Sequence, residues 1–219
     1  MKKNIVLILL TVLVSLIPLA YLGFVFDRLP ESVPTHFGWQ GKADSYGSKS
    51  YLPFACGAMA LVAIGLYFLV TNLGRIDPKK TAKQSPETFQ KIGFAVVVLF
   101  AALNITIIYA SERGSFTLHI LFPLLGLFFM YIGNLMHSIK PNYFVGIKVP
   151  WTLEDPANWR ATHQLGGKLW FIGGILITLL TLLLPEKVAD VCFIIIMAII
   201  VLVPIIYSYL YFKKNAPQP

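Results

Sequence analysis

The side chains with chemistry to offer are few: four histidines, a handful of carboxylates and a concentration of tryptophan in one stretch. His36 lies in a Pro- and Gly-rich segment, where an imidazole can sense pH or contact a partner; its simpler use is a hydrogen bond that shapes its own loop. His137 and His163 lie in a second segment, residues 133–170, that also holds Glu154 and Asp155. Two histidines without a cysteine or carboxylate cluster make a poor metal site, and Asp155 is already placed to cap a helix. A hydrogen bond to a neighbouring loop is therefore expected of His163. Trp151 and Trp159 could form a recognition surface; interface anchoring or packing is the more economical expectation. Asn142, Gly146 and Pro150 are expected to fix the backbone rather than to touch a ligand. There is no HExxH, GxSxG or phosphate-binding glycine loop, and no Ser–Lys or paired-aspartate arrangement of the kind catalysis needs. No catalytic residue, metal or cofactor is expected, and an enzyme using His137, His163 or Asp155 is the weakest reading.

The elements that hold these residues follow from composition. Of the 219 residues 57% are hydrophobic and 13% charged, and the mean hydropathy is +0.72. The apolar residues fall in six runs, near 4–26, 51–73, 92–110, 116–136, 165–184 and 188–212. Each is about the 20 residues that cross a bilayer as a helix, and none alternates as a barrel strand would. The expected fold is an all-α membrane protein, one integral domain over 1–219: a bundle of six transmembrane helices with a small extracytoplasmic loop. Lys2 and Lys3 precede the first run, but the run is long for a signal peptide and no clear cleavage site follows. Thirteen of the 18 Lys and Arg residues fall on one side of this arrangement. That side is expected to be cytoplasmic, with both termini on it. The net charge of +8 then reads as topology and contact with anionic membrane lipids, and direct nucleic-acid binding is not expected.

Three loops are substantial. The outer one, 27–50, has β-rich composition over 33–39 and a turn signal at 40–44, so a short hairpin or compact loop is expected. Trp39 and Tyr46 suit the membrane interface. The loop 74–91 is basic, and Ser85-Pro86 reads as the start of the third helix. The inner loop breaks at Lys140-Pro141-Asn142 and passes extended through Gly146, Lys148 and Pro150. It restarts as a helix at Asp155-Pro156, which continues into the fifth span. On a helical wheel Trp159, His163, Gly166 and Trp170 share one face, and Arg160, Gln164 and Lys168 another. Gly166-Gly167 and Gly173-Gly174 allow close helix approach. Cys56 and Cys192 read as small apolar packing residues. Asn104 is the clear polar residue deep in a span. With no Asp, Glu, Lys or Arg at a span centre, a coupled transporter is disfavoured but kept as the alternative, for a small molecule, lipid or peptide.

Two motifs resemble one family. Leu29-Pro30, Val33-Pro34-Thr35-His36-Phe37-Gly38, Gly41, Asp44 and Gly47-Ser48-Lys49 resemble the LPxxVPxHFGxxGxxD loop of a small bacterial membrane domain of unknown function. Gly133-Asn134, Pro141-Asn142, Gly146-Ile147-Lys148, Pro150-Trp151-Thr152-Leu153, Trp159, Thr162-His163 and Gly166-Gly167 resemble the signature of the SdpI family of bacterial membrane immunity proteins. Lys148-Val149 stands where that signature has Arg-Thr, which keeps the charge but loses the bidentate fork. The resemblance implies a multi-pass protein of the bacterial cytoplasmic membrane that protects its cell from a secreted membrane-active peptide toxin. It also implies a receptor role, in which a small cytoplasmic transcriptional repressor is held at the membrane. The partner-binding candidates it implies are His36, Asp44 and Lys49 outside, and Asn134, Pro141, Asn142, Gly146, Lys148, Pro150, Trp151, Thr152, Trp159 and His163 inside.

Overall fold

A computed structural model describes residues 5–38, 43–76, 85–114 and 118–215. Trp39 and the tip of the expected turn lie outside the described residues, as do Lys2, Lys3, Lys42, Lys79, Lys80 and Lys83. The helices are α1 (Ile5–Val25), α2 (Leu52–Thr71), the single turn α3 (Leu73–Ile76), α4 (Pro86–Arg113), α5 (Leu118–Met136), the short α6 (Pro150–Glu154), α7 (Pro156–Leu183) and α8 (Glu186–Asn215). Five of them are long and apolar enough to cross a membrane. The fourth expected span, α5, has 19 residues, about 28 Å at 1.5 Å per residue, close to the ~30 Å hydrocarbon thickness. The most apolar stretch of α8 has only 17% of its residues buried within the protein. An apolar surface that open belongs against lipid, and the chain is a multi-pass membrane protein.

The helices form two groups. In the first, α4 packs on α1 and α2; in the second, α7 packs on α5 and α8, while α4 and α5 join the groups. Pro18, Pro123 and Pro204 each lie inside a helix that continues past them. Broken helices at mid-membrane, which the transporter reading asks for, are not seen among the described residues.

Between α1 and α2 the chain makes an antiparallel hairpin, β1 (Ser32–Phe37) with β2 (Ala43–Ser48). The sequence places strand character at 33–39 and a turn through Asp44, but Asp44 belongs to the second strand. The segment Ala-Asp-Ser-Tyr-Gly-Ser has little β character of its own, and pairing with β1 holds it. Val33 and Leu29 are buried against Leu22 and Val25 of α1, Leu52 and Cys56 of α2 and Ile108 of α4. Burying each of these two side chains contributes about 2 kcal/mol toward docking the hairpin on the helix ends.

The second group is held by backbone contact. A Cβ added to Gly133 of α5 would lie 2.5 Å from the Phe171 nitrogen of α7, and one on Gly167 would lie 2.8 Å from the Gly133 carbonyl. Seven residues along, Gly126 and Gly174 meet in the same way. The other member of each α7 pair faces side chains instead: a Cβ on Gly173 would meet Ile200 of α8, and one on Gly166 would meet Ile147 of the loop and Met136 at the end of α5. With lipid as apolar as leucine, such close backbone approach is a main source of helix association.

Candidate functional site

The inner loop is a folded cap over the joined ends of α4, α5 and α7. Asn142 is its keystone. Its Nδ2 donates to the carbonyls of Lys140 and Val145 at 2.9 and 3.0 Å, and its Oδ1 accepts from the amides of Phe144 and Val145, each at 2.8 Å. Both donors and the acceptor are used within the loop, so Asn142 has little left for a ligand. Gly146 follows with φ +123°, a conformation in which a side chain is strained. A Cβ there would also run into the His163 ring and lie 3.0 Å from the Trp159 ring.

His163 and Trp159 lie one turn apart on α7, both buried. His163 Nδ1 donates to the Trp159 carbonyl at 2.8 Å, and Nε2 accepts from the Ile147 amide at 3.0 Å. These two bonds require a neutral ring protonated on Nδ1. His163 thus bonds the neighbouring loop, as its position suggests, and has no nitrogen left for a metal. Trp159 Nε1 donates to the Ile139 carbonyl at 2.8 Å. Its indole packs in the cluster of Ile92, Ile132, Met136 and Ile139 rather than at the membrane interface.

Pro150 opens α6 at the first helical turn, so the extended passage ends at Val149 instead of running through Pro150. Thr152 Oγ1 accepts from the Val149 amide at 3.1 Å and donates to the Ile147 carbonyl at 2.8 Å. Asp155 caps α7 by accepting from the Ala157 amide at 2.7 Å. Ser85 holds the equivalent position before α4, but its side chain makes no capping bond. Trp151 Nε1 donates to Ser208 Oγ at 2.6 Å, and Asn158 Nδ2 donates to the Ser208 carbonyl at 2.9 Å. Thr162 Oγ1 completes the chain by donating to Asn158 Oδ1 at 2.9 Å. Asn158, Thr162 and Ser208 escape sequence reading because their partners lie on another helix. Lys148 Nζ donates to the Phe144 carbonyl at 3.0 Å, a bond that needs no guanidinium fork. Pro141 is half-buried, whereas Asn134 is exposed on α5, apart from the cap's hydrogen-bond network.

At the opposite end of the bundle, His36 Nδ1 and Asp44 Oδ1 are 2.6 Å apart on the exposed face of the hairpin. Register irregularities next to His36 bring them together: Pro34 pairs with Tyr46 but His36 with Ser45, and Phe37 then pairs with Ala43. Lys49 sits at the hairpin base, 3.0 Å from Glu31 Oε1 and 3.3 Å from the Leu29 carbonyl, with its ammonium 5.2 Å from the Phe26 ring centre. Asn104, the polar residue expected deep in a span, is buried and donates to the Cys56 carbonyl at 3.1 Å, tying α4 to α2.

Two sites at opposite ends of one helical bundle, an exposed hairpin and a locked cap, characterise this multi-pass membrane protein. Residues 138–208 match the SdpI/YfhL protein family, and residues 6–67 match a domain of unknown function, DUF1648. The first match covers the cap, α7 and most of α8; the second covers α1, the hairpin and most of α2. The chain is 26% identical over 220 residues to Immunity protein SdpI of Bacillus subtilis (strain 168), covering 98% of each. The chain is thus similar to the SdpI/YfhL protein family over residues 138–208, and to one immunity protein from end to end. No solved structure matches it.

Proposed function

We propose that this chain is a membrane immunity protein that protects its cell from a secreted membrane-active peptide toxin, by binding and not by catalysis. The observation that carries the reading is the end-to-end similarity to Immunity protein SdpI, which spans both motif-bearing ends. In this reading six helices cross the bilayer, both termini are cytoplasmic, and the hairpin faces outward. The excess of Lys and Arg on the cap side supports that orientation. The hairpin is exposed and carries a polar pair, His36 and Asp44, that a peptide could meet. A receptor role, recruiting a small cytoplasmic repressor, would use the exposed rim of the cap, where Phe144, Lys148 and Arg160 lie. The buried Asn142, Trp159 and His163 would hold that rim in shape.

The test is survival of toxin-challenged cells expressing wild type, a His36→Ala/Asp44→Ala variant or a Trp151→Ala/Trp159→Ala variant, at equal membrane abundance. Protection by wild type that is lost in the hairpin variant supports a toxin met outside. If wild type leaves cells as sensitive as the empty vector to every cognate peptide, the immunity reading is wrong.

A further inference from the structure

A cleft of about 470 Å³ lies between α5 and α7 at the cap end. Its floor is the Gly133–Gly167 backbone contact, and Asn134, His137, Gln164, Lys168 and Phe171 line it. His137 follows the end of α5, three residues after Asn134, and Gln164 and Lys168 are one turn apart on α7, so four polar side chains converge on the cleft from its two sides. All four are exposed, and none has a side-chain hydrogen bond or ion pair with another described residue. The lining has no carboxylate.

We propose that this cleft binds the headgroup of an anionic phospholipid from the adjacent leaflet. Lys168 supplies the cation for the phosphodiester, and the Asn134 and Gln164 amides and the His137 ring supply hydrogen-bond donors to its oxygens. The depth fits such a ligand. Asn134 lies two residues before the end of α5, and Lys168 lies three turns into α7, at the level where headgroups meet hydrocarbon. The acyl side is provided as well. Phe171, one turn beyond Lys168, is 39% exposed and continues the cleft on its apolar side. The exposed residues 164, 168 and 171 keep an i, i+4, i+7 spacing, so the polar and apolar parts of the lining lie along one stripe of α7. A soluble acidic ligand would have no use for that apolar continuation.

The test is native mass spectrometry of the full-length protein in detergent, with phosphatidylglycerol or phosphatidylcholine added back, for wild type, Lys168→Gln/Asn134→Ala and Gln164→Glu. Wild type should retain phosphatidylglycerol at least fivefold over phosphatidylcholine. Both variants should lose that preference while melting within a few degrees of wild type in lipid-free detergent. Gln164→Glu changes an exposed residue and keeps the test decisive if the double variant does not fold. Equal retention of the two lipids by wild type, or an unchanged preference in a folded variant, would overturn the proposal. So would displacement of the bound lipid by millimolar glycerol phosphate alone, which would mark the cleft as a site for a soluble anion.

Discussion

The His163 imidazole lies nearly flat on the Trp159 indole, with ring centres 4.0 Å apart and planes 17° apart. The same imidazole accepts the Ile147 amide, and the same indole donates to the Ile139 carbonyl. One stacked pair on α7 therefore holds both ends of the loop that crosses above it. The peptide between the two anchored points must pass close over the rings, and Gly146 is where it does so.

Gly146→Ala should consequently be as damaging as removing either ring. Its φ of +123° disfavours any side chain, and the added methyl would press on both rings. A loss of about 2–4 kcal/mol is expected. His163→Ala, which leaves the Ile147 amide without its acceptor, should cost about 1–3 kcal/mol. Thermal melting in detergent checks both, and limited proteolysis should show earlier cleavage in residues 140–150. Melting indistinguishable from wild type for Gly146→Ala would contradict the packing described.

The glycines should separate into two classes. Gly126→Leu and Gly174→Leu drive a side chain into the facing backbone and should prevent α5 and α7 from closing, lowering folded yield severely. Gly57→Ala and Gly65→Ala, where an added Cβ meets nothing within 4 Å, should be neutral or stabilising by up to about 1 kcal/mol. Monodispersity after detergent extraction reads the first class, and the melting temperature reads the second.

A double-mutant cycle on His36 and Asp44 should return a coupling below about 1 kcal/mol, because side-chain exposures of 69% and 51% leave the pair open to solvent screening. Loss of protection in His36→Ala without loss of stability would then assign the residue to contact with a partner. Val33→Asp is the structural counterpart: it places a charge in a fully buried position and should undock the hairpin, at a cost of several kcal/mol.

Trp151→Phe keeps the aromatic packing against Tyr209 and Phe212 but removes the bond to Ser208. A loss of about 1 kcal/mol is expected, with Ser208→Ala similar and the pair together less than additive. A fully additive double variant would mean that the two side chains are not coupled.

Hydropathy made the long helices legible because a bilayer demands a nearly uniform run of apolar residues, a signal that survives without knowledge of neighbours. Asp155-Pro156 was legible for a related reason: capping is local chemistry, and the cap bond closes within two residues. The role of Ser208 was not legible, since its partner Trp151 lies 57 residues away on another element. The same holds for β2, whose sequence has little strand character without β1 beside it. The cleft needed two facts together: the exposed polar residues near the helix ends, and the glycine contacts that bring α5 against α7. Gly126 and Gly133 carry no periodic signal strong enough to announce that crossing.

Those contacts also divide the chain. α4 closes the first group and α5 opens the second, and Gly114, in the left-handed conformation at φ +70°, ends α4 between them. The hairpin belongs to the first group and the cap to the second, and the cap's core also meets Ile92 of α4. A gene cut just after the codon for Gly114 should therefore yield two polypeptides, one with α1, α2 and α4 and the other with α5, α7 and α8, that insert separately and find one another in the bilayer through the α4–α5 and cap–α4 surfaces.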